Sequence, residues 1–319
     1  MICLGRAPHP IPYQGSKRFL APSILKYFPH GLSRLIEPFA GAAAVSLAAA
    51  MCGKAQKFVL NDINGPLMDL WRQIINSPEA IVEAYRVLWE AQSGNERKYY
   101  DSVRDRFNRT KRSDYLLYLL LRCVKASVRY NSHGQFNQSP DNRRRGMRPE
   151  TLQQHVAYAS RLLRGRTSIE SGDYKSPLAQ AIPTDLVYMD PPYQGVCGPR
   201  DKRYFSGFDP GAFLSELAEL NKRGISYILS YDGRTGNRVH GKPLPKSLDL
   251  VRIEIEVGRS SQATLLGEST TTVESMYISP ALAHRIGGAS ECHLTMKPKQ
   301  LTLMDWTTPK SYRQSSLNA

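Results

Sequence analysis

A short apolar strand that stops at two prolines is the feature that most constrains the fold. Leu186–Met189 is uninterrupted and apolar, and it runs into Asp190, Pro191, Pro192 and Tyr193. Continuous apolar runs of this length are typical of parallel strands whose two faces are both covered by helices. In open α/β sheets, ligands bind at the carboxyl ends of such strands. The pattern therefore predicts an α/β sheet with a ligand site at residue 190.

The residues after this strand suit a planar amino group. Asp190 offers carboxylate oxygens, and the two prolines lack N–H groups, so their backbone offers only carbonyl acceptors. Tyr193 adds a flat ring that can stack. Acceptors beside a ring fit the exocyclic amine of a heteroaromatic base. A proline-rich turn without function is the alternative, and the flanking Asp and Tyr favour the functional interpretation.

Positive charge is concentrated in one stretch of the chain. The net charge is +15, and residues 97–166 hold 17 Lys/Arg against 5 Asp/Glu, a surplus of 12. Clustered charge of this kind indicates a polyanionic partner, although a solvated basic face would have the same composition. The same stretch contains Tyr130, Asn131, Gln135, Phe136 and Asn137, whose side chains can contact base edges. We therefore expect a nucleic acid partner.

The order of apolar and helical patterns predicts one α/β domain interrupted by a basic, mainly helical insert. Val128–Pro140, within the insert, reads as a hairpin or an exposed loop. The expected boundaries are 1–95 for the first part of the catalytic domain, 96–166 for the insert, 167–283 for the second part, and 284–319 for a polar C-terminal tail.

Several classes of protein are disfavoured by composition. No apolar run approaches the roughly 18–20 residues that cross a bilayer, and no secretory signal pattern is present. Five cysteines lie far apart, without Cys-x-x-Cys pairs. This spacing argues against a zinc site and a disulfide framework, and favours a reducing cytoplasm. We expect neither a metal nor a membrane partner.

A second group of residues predicts a small-molecule site. Glu37–Ala42 ends a strand in a small-residue turn before a helix, where the backbone can approach a ligand carboxylate or phosphate. It lacks the Gly-x-Gly-x-x-Gly spacing of dinucleotide sites. Asp62 ends the next strand, where an acidic residue typically accepts hydrogen bonds from ribose, although it can instead cap a helix. Upstream, Tyr13 and Lys17 flank a glycine.

Together these motifs resemble the Dam-like (D12 class) DNA adenine-N6 methyltransferases over roughly residues 10–280. The similar segments, in family order, are Pro12–Lys17, Glu37–Gly41, Asn61–Asp62, Gly172–Tyr174 and Asp190–Tyr193, with Arg129–Asn137 similar to the target-recognition element. The resemblance implies a Rossmann-like S-adenosylmethionine-dependent methyltransferase sheet with an inserted, mainly helical, basic target-recognition domain.

The resemblance also implies roles for individual residues. The catalytic residues would be Asp190, Pro191, Pro192 and Tyr193. S-adenosylmethionine would be held by Tyr13, Lys17 (beside its carboxylate), Glu37, Phe39, Ala40, Gly41, Asp62 (on the ribose), Asp173 and Tyr174. DNA would be contacted by Arg129, Asn131, Gln135, Asn137, Arg143, Arg144 and Arg145. In the cofactor-binding turn, Ala43 stands where many members have a second glycine. The run of three arginines in the insert departs from Dam itself, so specificity for GATC is not carried over.

The implied reaction is methylation of adenine N6 in a specific double-stranded DNA sequence after base flipping. The enzyme would act in the cytoplasm of a bacterium or phage-infected cell, at the nucleoid, either beside a separate cognate restriction endonuclease or alone. One alternative is cytosine-N4 methylation, which more often uses Ser-Pro-Pro-Tyr. Another is a non-catalytic DNA-binding subunit that retained the fold. Failure to bind S-adenosylmethionine would support the latter.

Overall fold

The chain forms a mixed sheet with helices on both faces. The computed structural model describes residues 6–192, 208–235, 238–240, 244–259 and 271–287. The strands are β1 Leu32–Glu37, β2 Ala55–Asp62, β3 Thr167–Ser171, β4 Leu186–Met189, β5 Tyr227–Thr235, β6 Arg238–His240, β7 Val251–Arg259 and β8 Thr271–Ile278. The α-helices are α1 Ala21–Ile24, α2 Ala44–Met51, α3 Gly65–Asn76, α4 Pro78–Ala91, α5 Glu96–Thr110, α6 Ser113–Arg122, α7 Pro149–Leu163, α8 Lys175–Ala179, α9 Pro210–Lys222 and α10 Pro280–Gly287. Single 3-10 turns span Lys17–Phe19, Leu25–Tyr27, Val124–Ala126 and Lys246–Leu248.

The strand order creates a switch point in the middle of the sheet. The order is β3-β2-β1-β4-β5-β8-β7, and β6 pairs with β5. Strands β1 to β5 run parallel to their neighbours along this path, whereas β8 is antiparallel to both β5 and β7. From β1 the chain moves outward to β2 and β3, and then returns to place β4 on the other side of β1. Ligands of open α/β sheets bind at such a point.

Alternate strand residues supply two separate hydrophobic cores. Leu35 and Leu186 face the core beneath α1 to α7 and α10. Their neighbours Ile36 and Val187 face the core beneath α8 and α9. Because successive side chains of a strand point to opposite faces, a strand buried on both sides must be apolar throughout. The α/β fold predicted from the sequence is therefore confirmed.

The helices of the predicted insert belong to one of these two layers. Tyr100 and Phe107 of α5 and Leu117 of α6 lie in the same buried cluster as Leu35 of β1 and Phe58 of β2. The insert is thus continuous with the sheet domain in its packing, and residues 96–166 as a domain remain a prediction.

The segment between α6 and α7 is irregular and is held by side chains of the helices. Tyr85 and Tyr100 donate their hydroxyls to the carbonyls of Met147 and Gln138, at 2.6 and 2.9 Å. The Gln92 amide donates to the carbonyl of Arg145 at 3.0 Å. The Asn108 amide donates to the carbonyl of Phe136 at 3.0 Å and accepts from its N–H at 2.7 Å. Side chains thus satisfy backbone groups that a strand would otherwise pair.

One sequence-based expectation needs correction. The C-terminal tail does not begin at 284, because α10 continues to Gly287 and buries Leu282. Cys123 is free and buried. Among the helices in the described ranges, none has both the length and the apolar character to cross a membrane.

Candidate active site

The carboxyl ends of the parallel strands line one pocket. It contains Tyr13, Lys17, Glu37, Phe39, Ala40, Gly41, Asp62, Asp173, Tyr174, Asp190, Pro191 and Pro192, each of which the sequence predicted for cofactor binding or catalysis. Tyr193 lies outside the described residues. Residues far apart in the chain meet here because β1 to β4 end at the same edge of the sheet.

Buried Asn61 joins three of these strand ends. Its amide donates to the carbonyl of Pro38, after β1, at 3.0 Å, and to that of Gly172, after β3, at 3.1 Å. Its own carbonyl, at the end of β2, accepts from the N–H of Ala40 at 2.8 Å. This asparagine therefore fixes the relative positions of the loops that form the pocket.

The turn after β1 has an unusual backbone. Gly41 and Ala43 both adopt left-handed conformations, with φ of 47° and 46°. Glycine does so without penalty, whereas a residue with a Cβ loses about 1–2 kcal/mol. Ala43 is the position at which many Dam-like enzymes have glycine, so the departure noted in the sequence falls on a strained residue. The turn is clamped by Trp71, whose indole N–H donates to the Gly41 carbonyl at 2.9 Å.

The carboxylate of Asp62 is hydrogen-bonded to the same turn. Its Oδ2 accepts from the N–H of Gly41 at 3.1 Å, and its Oδ1 accepts from the N–H of Asn64, the residue preceding α3, at 2.9 Å. Burial raises the pKa of Asp62, while these two donors lower it. Each carboxylate oxygen has a second lone pair, so Asp62 can organise the turn and still accept a ligand hydroxyl.

Glu37 is a buried acid at the end of β1. Its side chain is 2% exposed, and Oε1 accepts from the N–H of Ser46 in the first turn of α2 at 2.5 Å. Burial raises the pKa of Glu37 to about 7, hydrogen bonding from Ser46 opposes this rise, and the charge of Asp190 adds to it. Glu37 therefore lines the pocket and also contributes to its electrostatics.

Lys17 lies between two carboxylates. Its Nζ is 3.2 Å from Oδ1 of Asp190 and 3.1 Å from Oε2 of Glu274, and its side chain is 6% exposed. The resemblance implied a role for Lys17 beside the cofactor, and the structure shows it joined to the predicted catalytic carboxylate. Glu274 was not predicted, because it belongs to β8, which is antiparallel and distant in sequence.

Aromatic rings form one wall of the pocket. Phe39 and Tyr174 stack with centroids 5.1 Å apart, and Phe208 lies 6.1 and 6.0 Å from them. Burial raises the pKa of Tyr174 to about 12, so its hydroxyl is neutral at physiological pH. Such a wall suits a flat heterocycle. The sequence did not predict Phe208, because it follows a long, weakly patterned segment.

The insert reaches into the pocket. Tyr130 and Val128 line it, and the Tyr130 hydroxyl donates to Oδ1 of buried Asn64 at 3.4 Å. The N–H of Gln14, in the loop that carries Lys17, donates to the carbonyl of Ala126 at 3.0 Å. The segment predicted to recognise DNA is thus in direct contact with the segment predicted to bind the cofactor.

Asn131 builds the turn of the predicted recognition segment. Its Oδ1 accepts from the N–H groups of His133 and Gln135 at 2.9 and 3.0 Å, and its amide donates to Oε1 of Gln135 at 3.0 Å. The N–H of Asn137 donates to the carbonyl of Arg129 at 3.0 Å, which pairs the flanks of the turn. These bonds leave Gln135 and Asn137 exposed at the surface.

The three successive arginines are also exposed, and two share one carboxylate. Arg143 Nε and Arg144 Nη2 lie 3.1 and 2.8 Å from the two oxygens of Asp141, which is 3% exposed. The hydrogen bonds from Arg143 and Arg144 hold the pKa of Asp141 well below its usual range. Arg145 instead lies over the ring of Trp89, 5.2 Å from its centroid. All three guanidinium groups therefore contact neighbouring side chains and remain exposed at the surface.

Comparison with known proteins decides what kind of site this is. Residues 13–253 match the D12 class N6 adenine-specific DNA methyltransferases. The chain belongs to this family. It is 30% identical to the Type II methyltransferase M1.LlaDCHI of Lactococcus lactis subsp. cremoris, over 83% of this chain and 94% of that protein.

Two further relatives are adenine methylases by name. The chain is 29% identical to the retron Ec67 DNA adenine methylase of Escherichia coli, over 71% of this chain and 74% of the relative. It is 28% identical to the DNA adenine methylase of Escherichia coli strain K12, over 68% and 78%. The pocket therefore belongs to an adenine-specific DNA methyltransferase, and the substrate is DNA. In the described part of the chain, no group of three His, Cys, Asp or Glu side chains is placed to hold a metal ion.

The elevated pKa of Glu37 predicts a specific dependence of stability on pH. The pKa of Glu37 is 4.5 in the unfolded chain and about 7 in the folded protein, so the folded protein binds the proton more tightly. The free energy of unfolding therefore decreases as the pH rises from 4.5 to about 7. The difference in unfolding free energy between wild type and Glu37→Gln should therefore fall by roughly 3 kcal/mol across this window. Denaturant unfolding at successive pH values measures it, and a flat difference would contradict the assignment.

Proposed function

We propose that the protein transfers a methyl group from S-adenosylmethionine to N6 of an adenine extruded from a specific double-stranded DNA sequence. One observation carries the proposal. Asp190 lies at the end of a buried strand, in the same pocket as the aromatic wall and the acidic ends of β1 and β2. A base that enters beside Asp190 therefore meets a bound cofactor.

The pocket fits S-adenosylmethionine in each of its parts. The stacked rings of Phe39 and Tyr174 suit the adenine, and Asp62 suits the ribose hydroxyls. Gly41 lines the pocket with a φ of 47° and has no Cβ, so its backbone is accessible to the methionine part. Buried acceptors of Gln14 and Ser16, which have no hydrogen-bond partner among the described residues, line the same space. When bound, the cofactor supplies a methyl group activated by its sulfonium sulfur.

Asp190 and the Pro191 carbonyl act on the amine of the substrate. The N6 lone pair of adenine is delocalised into the ring and is therefore a weak nucleophile. Two acceptors for the N6–H bonds favour a pyramidal nitrogen, whose lone pair is free to attack. The protein contributes orientation and placed acceptors rather than a strong base. The base must leave the stack first, since N6 is not accessible in the duplex, and Tyr193 stacks on it.

The basic insert supplies the DNA interface. Arg143, Arg144 and Arg145 contact phosphates, and Gln135 and Asn137 reach base edges in the major groove. Asn131 contributes to the shape of the turn through the hydrogen bonds described above, and Arg129 supports its flank. Residues 96–166 form the recognition unit, although their helices pack in the core of the catalytic part.

The biological setting follows from the substrate. Cellular DNA places the reaction at the nucleoid, in the cytoplasm of a bacterium or phage-infected cell. Similarity to a Type II methyltransferase supports a role beside a separate restriction endonuclease. The aspartate at position 190 and the family match both favour adenine N6 over cytosine N4.

Expression in a host that lacks adenine methylation tests the function directly. We expect N6-methyladenine in one sequence context when the host DNA is read by modification-sensitive sequencing. Asp190→Ala should abolish the signal and retain S-adenosylmethionine binding in calorimetry, since the aromatic wall and Asp62 are unchanged. Asp69→Ala, which removes an exposed ion pair with Arg72 on α3, serves as the control and should methylate normally. N4-methylcytosine in the host, or turnover by Asp190→Ala, would refute the assignment.

The DNA interface is tested by the salt dependence of binding. Arg143 is 85% exposed, and if it contacts one phosphate, Arg143→Ala should reduce the slope of log K against log [salt] by about 0.9. Lys222→Ala removes an equally exposed charge, 77% exposed, from α9 on the other face of the sheet. It should leave the slope unchanged. Equal slopes for Arg143→Ala and the wild type would exclude a phosphate contact.

A further inference from the structure

The ion cluster around Lys17 contains one more carboxylate than a simple pair needs. Lys17 Nζ is equally close to Asp190 and Glu274, at 3.2 and 3.1 Å, and the two carboxylates are 22% and 24% exposed. Glu274 lies outside residues 13–253, which match the family. The proposed function assigns a role to Asp190, which Lys17 contacts, but it assigns no role to Glu274.

The sheet brings Glu274 to this position by a close strand contact. Glu274 on β8 is opposite Gly233 on β5, just beyond an irregularity in the register. A Cβ at Gly233 would lie 2.6 Å from the carbonyl oxygen of Val273 and 3.3 Å from the Cα of Glu274. Only glycine permits this approach. Oε2 of Glu274 is buried without an aligned hydrogen bond in the described ranges, so its ion pair with Lys17 compensates its charge.

The second carboxylate changes the charge that the substrate meets. Lys17 and Asp190 alone would form a neutral pair. The ammonium would then weaken Asp190 as a hydrogen-bond acceptor for the substrate. Sharing Lys17 with Glu274 leaves the three groups with a net charge of −1, if all three are ionised. Asp190 then retains its ability to accept a hydrogen bond from a substrate amine, because the ammonium is not committed to it alone.

The reaction needs negative charge at this place. The N6 lone pair forms the new bond to the methyl carbon, while the sulfonium sulfur keeps the electron pair of the bond that breaks. N6 therefore gains positive charge until one of its protons leaves to solvent. An Asp190 carboxylate that is not fully engaged by the ammonium stabilises this charge more in the transition state than in the ground state, which is the condition for a higher rate.

We propose that Glu274 is a positioning residue for methyl transfer, which acts by sharing the Lys17 ammonium so that Asp190 stays available to adenine N6. The inference rests on the proposed function of Asp190. It predicts an effect on the chemical step rather than on cofactor affinity, and an effect that depends on the presence of Lys17.

A double-mutant cycle tests this role with purified full-length protein, S-adenosylmethionine and DNA carrying its recognition site. Glu274→Gln should lower the single-turnover methylation rate between about 10- and 100-fold at saturating cofactor. In a Lys17→Met background, Glu274→Gln should lower the methylation rate by at most about threefold, because the two carboxylates no longer share an ammonium. Glu274→Asp, which keeps the charge, should recover part of the rate.

Two controls separate this role from a structural one. The calorimetric Kd for S-adenosylmethionine and the thermal midpoint of Glu274→Gln should stay close to wild type. Glu254→Gln removes the same charge from β7, opposite Ser275 and therefore on the other face of the sheet, and should not change the rate.

The possible failures are distinguishable from one another. An unchanged rate in Glu274→Gln, an equal loss in both backgrounds, or a loss matched by weaker cofactor binding or a lower midpoint would overturn the positioning role alone. A wild-type protein that binds S-adenosylmethionine but methylates no adenine would overturn the proposed function, and the role of Glu274 with it.

Discussion

The meeting of four parallel strand ends at one edge of the sheet is the constraint on which the rest of the molecule depends. Strand β4 is buried throughout, and β1 and β2 are buried on both faces in their carboxyl-terminal halves, so the polar side chains of the pocket lie where these strands end. Glu37, Asp62 and Asp190 occupy three of these ends, and Asn61 ties the loops between them. The proposed cofactor pocket and Asp190, the residue proposed to bind the substrate amine, are adjacent because the strand order changes direction between β1 and β4.

The recognition segment depends on the same framework. Its helices pack in the core of the sheet domain. Side chains of α4, of α5 and of Gln92 donate hydrogen bonds to the carbonyls of its irregular backbone. Tyr130 lines the pocket and is hydrogen-bonded to Asn64. The N–H of Gln14, in the loop of Lys17, is hydrogen-bonded to the insert.

The parts of the site that lie within single motifs were predictable from the sequence. The strand run before Asp190, the small-residue turn at Gly41 and the acid at Asp62 each have a local pattern, and the structure places all three in one pocket. Glu274 and Phe208 have no such pattern, because their positions depend on strand order and on packing across the sheet. The turn-building role of Asn131 depends on its own hydrogen bonds, which composition does not reveal.

The central claim is that Asp190 holds the amine of an extruded adenine. A crystal structure of the protein with duplex DNA carrying its site and a non-reactive analogue of S-adenosylmethionine tests it most directly. The account predicts an adenine outside the base stack, with N6 within about 3.2 Å of an Asp190 carboxylate oxygen. A target adenine still paired in the duplex, or an extruded base whose N6 contacts other groups and not Asp190, would contradict it.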